Sequence, residues 1–375
     1  MDVRPGTGWS WLMNNVRGAL LAGGRGQRLG VLTQDMTKAL VPYGGTCRLM
    51  DFSLANCLRT GVGEVVLMAN DRQQQVVDHV VTHWTRYHDF HVHLGFQESL
   101  CPRHGARICN AGIRRPEHGT ADALLANAEF VFAPGATDIL VLHADHVYDF
   151  NYSDMIWEHR RSGAVATIGV QAIERRFVNL FGMVDVGEHL RVRSLVEKPI
   201  CPTSNLVFTA FALFKADVLL ELLHFLAAGS ANSWQHDISR DVIPAMLANG
   251  DYVRAYQVRD FWADIGTVER YYLGHMRLID APADLEPERR PRTLGPWVPA
   301  QTSRGVAVGR VSVEGDVEHS FLYDGARIGR QAFVSDSLIL PGGKVASGVT
   351  VRDSIVRQNE VVVEDRIGTT SLGMV

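Results

Sequence analysis

A repeat of six residues near the C-terminal end constrains the fold of this chain more than any other feature. Aliphatic residues recur at that interval in two series, Leu322, Ile328, Val334 and Leu340, then Val349, Ile355, Val361 and Ile367, with a slip of three residues between them. Such a period is typical of a parallel β-helix, in which each coil stacks on the next and buries a shared column of apolar side chains. A small β-sandwich would instead alternate with a period of two. The repeat therefore predicts a β-helix of about three coils in residues 304–375.

Five prolines precede this repeat, namely Pro282, Pro287, Pro291, Pro296 and Pro299. Proline lacks a backbone N–H and fixes its own φ, so this density is incompatible with a helix interior or a central strand. Residues 281–303 are therefore predicted to form a linker that wraps between two domains, the first of which covers residues 1–280. Two domains also suit a chain of 375 residues, because single cores rarely grow beyond about 250–300 residues.

A glycine-rich turn follows the first apolar stretch, which is predicted to be a short buried strand at 19–22. The glycines are Gly23, Gly24 and Gly26, and the basic residues among and after them are Arg25 and Arg28. Glycines let successive N–H groups point at one spot, which favours an anion, and guanidinium groups form short charge-assisted bonds with phosphate oxygens. The turn fits neither GxGxxG nor GxxxxGK[ST], so on its own it is weak evidence for a nucleotide site.

Strands and helices alternate through the rest of the first domain. Strands are predicted at 64–69, 138–146, 165–170, 206–214 and 252–258, a hairpin at 183–196, and helices at 72–87, 152–162, 216–227 and 236–248. This alternation is typical of an α/β domain with a mostly parallel sheet that is covered on both faces. Ligands of such sheets bind at the carboxyl ends of the strands. Asp145 lies at such an end.

Composition excludes several classes of function. The formal net charge of −4 gives no basic field to hold nucleic acid or an anionic membrane. The apolar runs are too short for a membrane span or a signal peptide, so a cytoplasmic location is expected. The cysteines lack a CxxC pair and are predicted to be reduced and buried; they are Cys47, Cys57, Cys101, Cys109 and Cys201. His79 and His83 lie one helical turn apart without an acidic partner, which favours a solvated face over a metal site.

Three motifs together point to a family. Lys38 follows Arg28 by ten residues, and this pair resembles the signature GGxGxRL…K of the sugar-1-phosphate nucleotidyltransferases. The segments CRLMDFSLANC (47–57) and HGTADAL (118–124) are similar to those of the ADP-glucose pyrophosphorylase branch. The resemblance covers roughly residues 17–370. It implies a Rossmann-like nucleotidyltransferase domain followed by a left-handed parallel β-helix.

The chemistry of that family calls for the residue types present here. A sugar phosphate attacks the α-phosphorus of a nucleoside triphosphate and expels pyrophosphate. The nucleophile is already an anion, because the second pKa of a phosphate monoester is about 6, so no strong general base is needed. The site must instead hold two anions in line and neutralise the developing charge. Arginine, lysine and carboxylates that hold Mg²⁺ supply those functions.

The resemblance implies a role for each matching residue. Arg28 would grip the phosphates of the triphosphate and Lys38 would contact the α-phosphate. Asp145, in HADHVY, and Asp264, in FWADIGT, match the two aspartates that bind Mg²⁺. The remaining nucleotide-binding positions are Leu21, Ala22, Gly23, Gly24, Arg25, Gly26, Asn70, Gly119 and Thr120.

The resemblance also assigns the site of the sugar phosphate. Lys198 would hold the phosphate and Glu197 would bond ring hydroxyls, both within VEKP, with Gly182 and Phe208 beside them. The substrates implied are a nucleoside triphosphate and a sugar or cyclitol 1-phosphate, and the implied assembly is a homo-oligomer, either a dimer or a tetramer.

Departures from the family pattern bear on the substrate. They are Glu117 and His118 for Tyr-Arg, Phe208 and Ala210 for the serine and glycine of SMGIYVF, Ala263 for the arginine of WRDVGT, Asn70 for a glutamine, and Ala144 for the glycine of GDH. A site built to bond hydroxyls discriminates strongly, so these changes predict an altered acceptor. The hypothesis is a glucose-like cyclitol 1-phosphate such as valienol 1-phosphate, with ATP or GTP as the donor.

Two other functions remain open from the sequence. One is the ordinary synthesis of ADP-glucose, and the other is a non-catalytic regulatory subunit. Against the latter, the charged residues of the site are all present, and losing one stabilising donor typically costs about a hundred- to thousandfold in rate. Asp35 and Met36 replace the basic pair that commonly precedes the catalytic lysine. Weak or absent activation by phosphosugars is therefore expected.

Overall fold

The computed structural model describes residues 15–70, 72–96, 118–229, 234–295, 299–300 and 305–368. The chain divides into two compact units. The first takes in the residues up to Gly23, Ser53–His143 and Phe150–Asp260, and the second takes in Gly24–Phe52, Ala144–Asp149 and the residues from Phe261 onward. The predicted domain boundary at 281–303 stays a prediction. Among the residues that the structure describes, every helix is too short or too polar to cross a lipid bilayer.

The helices and the first thirteen strands alternate as the sequence predicts. The strands are β1 (Val16–Leu21), β2 (Pro42–Tyr43), β3 (Cys47–Arg48), β4 (Glu64–Ala69), β5 (His91–Phe96), β6 (Asp138–His143), β7 (His146–Tyr148), β8 (Ala166–Ala172), β9 (Gly182–Val186), β10 (Val192–Glu197), β11 (Leu206–Lys215), β12 (Val253–Gln257) and β13 (Trp262–Asp264). The helices are α1 (Leu49–Thr60), α2 (Gln73–His83), α3 (Thr120–Ala126), α4 (Ala128–Val131), α5 (Ser153–Ser162), α6 (Ala216–Ala228), α7 (Ile243–Ala248) and α8 (Val268–Asp280).

A nine-stranded sheet forms the centre of the first unit. Its main path runs β10-β9-β11-β6-β1-β4-β5, with β8 beside β11 and β12 beside β8. Strand β1 is parallel to both of its neighbours, β4 and β6, whereas β11 is antiparallel to β6, β8 and β9. Ala19 and Leu20 of β1 are fully buried, as expected for a central strand with both faces covered. The Rossmann-like α/β sheet that the sequence predicts is confirmed, with an antiparallel part around β11.

Four local predictions need correction. The strand predicted at 138–146 ends at His143 and resumes at His146, so Ala144 and Asp145 form a turn between β6 and β7. The segment 262–264, predicted as a turn, is strand β13, which pairs with β7. The helix predicted at 236–248 begins with a π-helical turn, Ile238–Val242. Cys201, predicted to be buried, is exposed in the loop between β10 and β11.

A parallel β-helix forms the C-terminal part of the second unit. Its strands are β14 (Pro299–Ala300), β15 (Val306–Val308), β16 (Ser312–Val313), β17 (Asp316–Glu318), β18 (Phe321–Leu322), β19 (Arg327–Ile328), β20 (Phe333–Ser335), β21 (Leu338–Ile339), β22 (Lys344–Val345), β23 (Thr350–Arg352), β24 (Ile355–Val356), β25 (Val361–Val362) and β26 (Arg366–Ile367). Four parallel strands stack on each of three faces, one more than the repeat predicts. This arrangement is consistent with a left-handed β-helix.

The buried column of the β-helix differs from the predicted one. Phe321 pairs with Leu338, and Leu338 with Ile355, so one coil takes 17 residues and not a multiple of six. The residues that point inward are therefore Leu322, Ile328, Val334, Ile339, Val345, Val351, Val356 and Val362. Val361 and Ile367, which the strict period places in the column, are 53% and 64% exposed. The prediction holds up to Val334 and is wrong beyond it, because each coil omits one residue.

A second cluster joins the β-helix to helix α8 within the second unit. Phe321 and Tyr323 are fully buried together with Tyr271 and His275 of α8. The Nδ1 atom of His275 lies 2.8 Å from the carbonyl oxygen of Tyr271, so Nδ1 must donate and Nε2 must accept a hydrogen bond from the Tyr323 hydroxyl. Burial lowers the pKa of His275 to about 3, and the imidazole is therefore neutral.

The proline-rich segment is anchored to the loop that contains β2 and β3. Residues Pro282–Leu285 and Pro287–Arg289 form short 3₁₀ turns. Buried Arg290 donates to the carbonyl oxygen of Gly44 at 2.6 Å, and the N–H of Leu294 donates to Thr46 at 2.8 Å. Burial lowers the pKa of Arg290. The segment is thus held by buried hydrogen bonds to residues that follow Lys38 closely in the chain.

Candidate active site

The glycine-rich turn of the second unit is a tight loop that only glycine permits at its centre. Gly26 has a φ of +66°, and a Cβ atom there would lie 2.9 Å from a methyl of Thr33 and 3.0 Å from Lys38 Cβ. The Thr33 hydroxyl donates to the Gly26 carbonyl oxygen at 3.0 Å, which fixes the turn. Arg25 and Arg28 are exposed on it. Their side chains therefore remain open to an anionic ligand.

Lys38 is held against Asp145 in the same unit. The Lys38 side chain is buried, which is unusual for lysine, and its ammonium group forms an ion pair with the Asp145 carboxylate. Lys38 begins a short 3₁₀ turn, Lys38–Leu40, whose three residues are all buried. The local backbone therefore fixes the position of this cation.

The two predicted metal ligands meet at one end of the β7–β13 ribbon. Asp264 pairs with His146 across the ribbon, and the N–H of Ile265 donates to the carbonyl oxygen of Asp145 at 3.1 Å. The Asp264 carboxylate forms an ion pair with Arg270 of α8, and it lies over Gly266, where a Cβ atom would be 3.0 Å from Asp264 Oδ1. Carboxylate oxygens are the donors that hard divalent cations such as Mg²⁺ prefer, so the residues present fit such an ion.

His146 links Asp145 to a buried tryptophan. The Trp262 indole N–H donates to His146 Nδ1 at 3.1 Å, so the proton of the neutral imidazole is assigned to Nε2. Nε2 lies 3.8 Å from Asp145 Oδ1. The imidazole and indole rings are stacked, with centroids 5.8 Å apart. The motifs HADHVY and FWADIGT thus support each other through their His and Trp as well as presenting aspartates.

The predicted acceptor residues meet in the first unit. Glu197, the last residue of β10, pairs with Gly182, the first residue of β9. A Cβ atom on Gly182 would lie 3.1 Å from Glu197 Oε2 and 3.6 Å from Phe208 Cβ. Lys198 adopts a left-handed backbone with a φ of +49°, and its Nζ lies 3.4 Å from Glu197 Oε1. A carboxylate, an ammonium group and a phenyl ring are therefore grouped around one glycine.

The predicted base-binding residues lie at the start of α3 in the first unit. A Cβ atom on Gly119 would lie 2.2 Å from the carbonyl oxygen of His236, so this close approach requires glycine. The Thr120 hydroxyl accepts from the N–H of Ile238 at 2.9 Å and lies 3.2 Å from Asp237 Oδ2. Exposed His118 lies beside His236, with ring centroids 5.1 Å apart. Glu117 lies outside the described residues.

The end of β1 contributes backbone and not side chains. Leu21 and Ala22 are buried, and the N–H of Ala22 donates to Met68 at 2.7 Å. A Cβ atom on Gly23 would lie 3.0 Å from the Asn70 amide nitrogen, so Gly23 lets exposed Asn70 approach the turn. These contacts leave the N–H groups after Ala22 as the ones that suit a phosphate.

Sequence reasoning missed Arg270, Ser239 and Asp237. Arg270 lies beside Asp264, whereas Ser239 and Asp237 contact Glu197 and Thr120 respectively. The sequence gives a weak signal for Asp237 only, since an aspartate before an apolar helix is typical of a helix N-cap. The contacts of Arg270 and Ser239 depend on tertiary structure that no motif reveals.

Comparisons with known proteins agree with this geometry. A family model described as nucleotidyl transferase matches residues 17–281, and one described as the GlmU-like C-terminal hexapeptide matches residues 299–371. The chain is 45% identical over 334 residues to a valienol-1-phosphate guanylyltransferase of Streptomyces hygroscopicus subsp. limoneus, covering 85% of this chain and 89% of the relative. It is 32% identical to a glucose-1-phosphate adenylyltransferase of Halalkalibacterium halodurans, covering 86% and 85%. A glucose-1-phosphate adenylyltransferase of Clostridium beijerinckii is 31% identical, covering 87% and 84%.

Proposed function

Because the chain belongs to the nucleotidyl transferase family, we propose that it transfers a guanylyl group from GTP to valienol 1-phosphate. The higher identity to the valienol-1-phosphate guanylyltransferase than to the glucose-1-phosphate adenylyltransferases carries this choice. The acceptor site supports it, because the phenyl side of Phe208 stands beside Glu197 where the resemblance predicts a serine. An apolar wall favours a ring that has fewer hydroxyls, such as an unsaturated cyclitol.

The reaction needs no general base on the protein. An oxygen of the acceptor phosphate attacks the α-phosphorus of GTP, and the bond from that phosphorus to the bridging oxygen of the β-phosphate breaks. Pyrophosphate leaves with the bonding electron pair. The acceptor phosphate is dianionic near neutral pH, since its second pKa is about 6.

The protein supplies position and charge. Lys38 and the exposed Arg25 and Arg28 neutralise the phosphates of GTP, and Lys198 binds the phosphate of the acceptor. Nucleotidyltransferases of this kind generally use a divalent metal, and the proposal names Mg²⁺ at Asp145 and Asp264. When bound there, Mg²⁺ would supply positive charge at the α-phosphoryl group and the leaving group.

Pyrophosphate release tests the proposal. ATP, GTP, UTP, CTP and dTTP are each combined with glucose 1-phosphate and with valienol 1-phosphate in the presence of Mg²⁺. The proposal expects the highest kcat/KM for GTP with valienol 1-phosphate. A higher value for ATP with glucose 1-phosphate would instead identify an ADP-glucose synthase.

A matched pair of variants tests whether catalysis belongs to this chain. Asp145→Asn removes a predicted metal ligand and is expected to lower kcat by about a hundredfold or more. Asp154→Asn makes the same change at an exposed position on α5 and is expected to leave kcat unchanged. Equal rates for wild type and Asp145→Asn would contradict the proposal. Light scattering after size exclusion tests the predicted dimer or tetramer.

A further inference from the structure

The carboxylate of Glu197 has three neighbours in the first unit. Gly182 lies beneath Oε2, Lys198 Nζ is 3.4 Å from Oε1, and the Ser239 hydroxyl oxygen is 3.2 Å from Oε2. Ser239 comes from the π-helical turn Ile238–Val242, which is 42 residues away along the chain. The contact between Ser239 and Glu197 therefore ties the acceptor carboxylate to a separate element of the fold.

Asp237 competes for the same hydroxyl group. The Ser239 hydroxyl oxygen is 2.7 Å from Asp237 Oδ1, closer than it is to Glu197. Asp237 Oδ1 also accepts the backbone N–H groups of Ser239 at 2.9 Å and of Arg240 at 3.2 Å, and Oδ2 lies 3.2 Å from the Thr120 hydroxyl. Asp237 therefore caps the turn with its backbone hydrogen bonds alone and does not depend on the Ser239 hydroxyl.

A serine hydroxyl carries one proton and cannot donate it fully to two carboxylates. Donation to Glu197 leaves the hydrogen bonds of Asp237 to the backbone intact. It also holds Oε2 in place, so that the rest of the carboxylate keeps a fixed orientation. A hydrogen bond to a charged group is worth more than one between neutral groups, so this single donor has a measurable effect on Glu197.

We propose that Ser239 is a positioning residue for acceptor selection, which holds Glu197 so that its carboxylate accepts hydrogen bonds from the ring hydroxyls of the acceptor. This inference rests on the proposed function. A carboxylate with a fixed orientation distinguishes hydroxyl positions on a ring, whereas one that rotates accepts a wider range of rings. Ser239 thus controls which polyol phosphate is used and has no role in nucleotide binding.

Ser239→Ala tests this role because it removes the hydroxyl and keeps the backbone N–H that bonds to Asp237. The expected result is a rise of about tenfold in the KM for the acceptor, with the KM for GTP within about twofold of wild type. Ser239→Thr restores a hydroxyl and is expected to recover the acceptor KM to within about threefold. Ser162→Ala, at a partly buried serine whose hydroxyl donates to His159, is the matched control and is expected to match wild type.

A double-mutant cycle separates positioning of Glu197 from a general effect on folding. In a Glu197→Gln background, Ser239→Ala is expected to cause little further loss, since contacting residues are not additive. An unchanged acceptor KM in Ser239→Ala, an equal rise in the KM for GTP, or full additivity with Glu197→Gln would each overturn the inference.

Failure of this inference is distinguishable from failure of the proposed function. The kinetics are measured with whichever acceptor the substrate panel identifies, so a preference for glucose 1-phosphate refutes the proposed acceptor without affecting the test of Ser239. Absence of turnover with every combination in the wild type would overturn both.

Discussion

Gly182 illustrates how single residues shape the acceptor site. Its missing side chain leaves the room that the carboxylate of Glu197 occupies, because a Cβ atom would lie only 3.1 Å from Oε2. No positive φ is involved, so the requirement is one of space and not of backbone conformation.

Gly182→Ala is therefore expected to displace Glu197 and to raise the KM for the acceptor by at least about tenfold, with little change in the KM for GTP. Steady-state kinetics with each substrate varied in turn measure both values. Gly229→Ala, at a helix end where a Cβ atom meets only a backbone oxygen at 3.3 Å, is the control. An unchanged acceptor KM in Gly182→Ala would show that Glu197 does not contact the acceptor.

His275 makes the stability of the protein depend on pH. Its pKa is lowered by burial to about 3, whereas an unfolded histidine titrates near about 6.5. Between these values the unfolded chain binds a proton that the folded chain does not. Stability is therefore complete above about pH 6.5 and falls as the pH drops toward 3.

This residue should account for about 2 kcal/mol of stability lost between pH 7 and pH 5, from a slope of about 1.4 kcal/mol per pH unit below pH 6.5. Urea unfolding of wild type and of His275→Gln at both pH values measures the difference. Gln retains a donor and an acceptor but does not titrate, so its loss over this range should be smaller by that amount. The same loss in both proteins would contradict the assignment of a neutral His275.

At the scale of elements, the β-helix has a register that the strict repeat does not predict. Adjacent residues test it, because Val362 is 4% exposed within the column and Val361 is 53% exposed beside it. Val362→Ala should lower the free energy of unfolding by about 2 kcal/mol through lost burial and a cavity. Val361→Ala should lower it by less than about 0.5 kcal/mol. Urea denaturation of both variants decides the register, and the reverse order would restore the strict six-residue period.

The sequence predicts elements better than the contacts between them. Apolar runs place β1, β4 and β11 to within a residue or two, since a buried strand needs an uninterrupted apolar stretch. Periodicity also predicts the β-helix, but it misplaces Val361, because the omission of one residue per coil is a property of stacked coils and not of any single one.

The same difference holds for the candidate site. Lys38, Asp145 and Glu197 can be predicted because the chemistry demands these residue types within short motifs. Ser239 and Arg270 cannot, since each acts through a partner that only the folded chain brings near. The local π-helical turn at 238–242, on which the position of Ser239 depends, has no sequence pattern that distinguishes it from an α-helix.

At the scale of the molecule, a cavity of about 230 Å³ lies within the second unit between the loop before Lys38 and the last coils of the β-helix. Its walls include Asp35 and Met36 from the loop and Arg357 and Glu360 from the coils. The Arg357 guanidinium donates to Gln34 at 3.1 Å and lies 3.5 Å from Glu360, so its charge is already engaged. Two carboxylates in the walls disfavour an anionic ligand.

Fructose 1,6-bisphosphate is therefore expected to change the rate by less than about twofold. Pyrophosphate release with and without this phosphosugar measures the response, and Asp35→Asn shows how far one carboxylate accounts for it. A severalfold activation of the wild type would contradict this expectation.

The anchoring of the proline-rich segment has a consequence for protein engineering. Arg290 and Leu294 bond to the loop residues Gly44 and Thr46, which lie only a few residues beyond the cation that faces the α-phosphate. A chimera that joined the first 280 residues of this chain to the repeat region of a relative would replace those donors along with the repeats. The catalytic and hexapeptide regions are therefore not interchangeable cassettes, and an exchange that preserves activity must carry Arg290 and Leu294 with the N-terminal part.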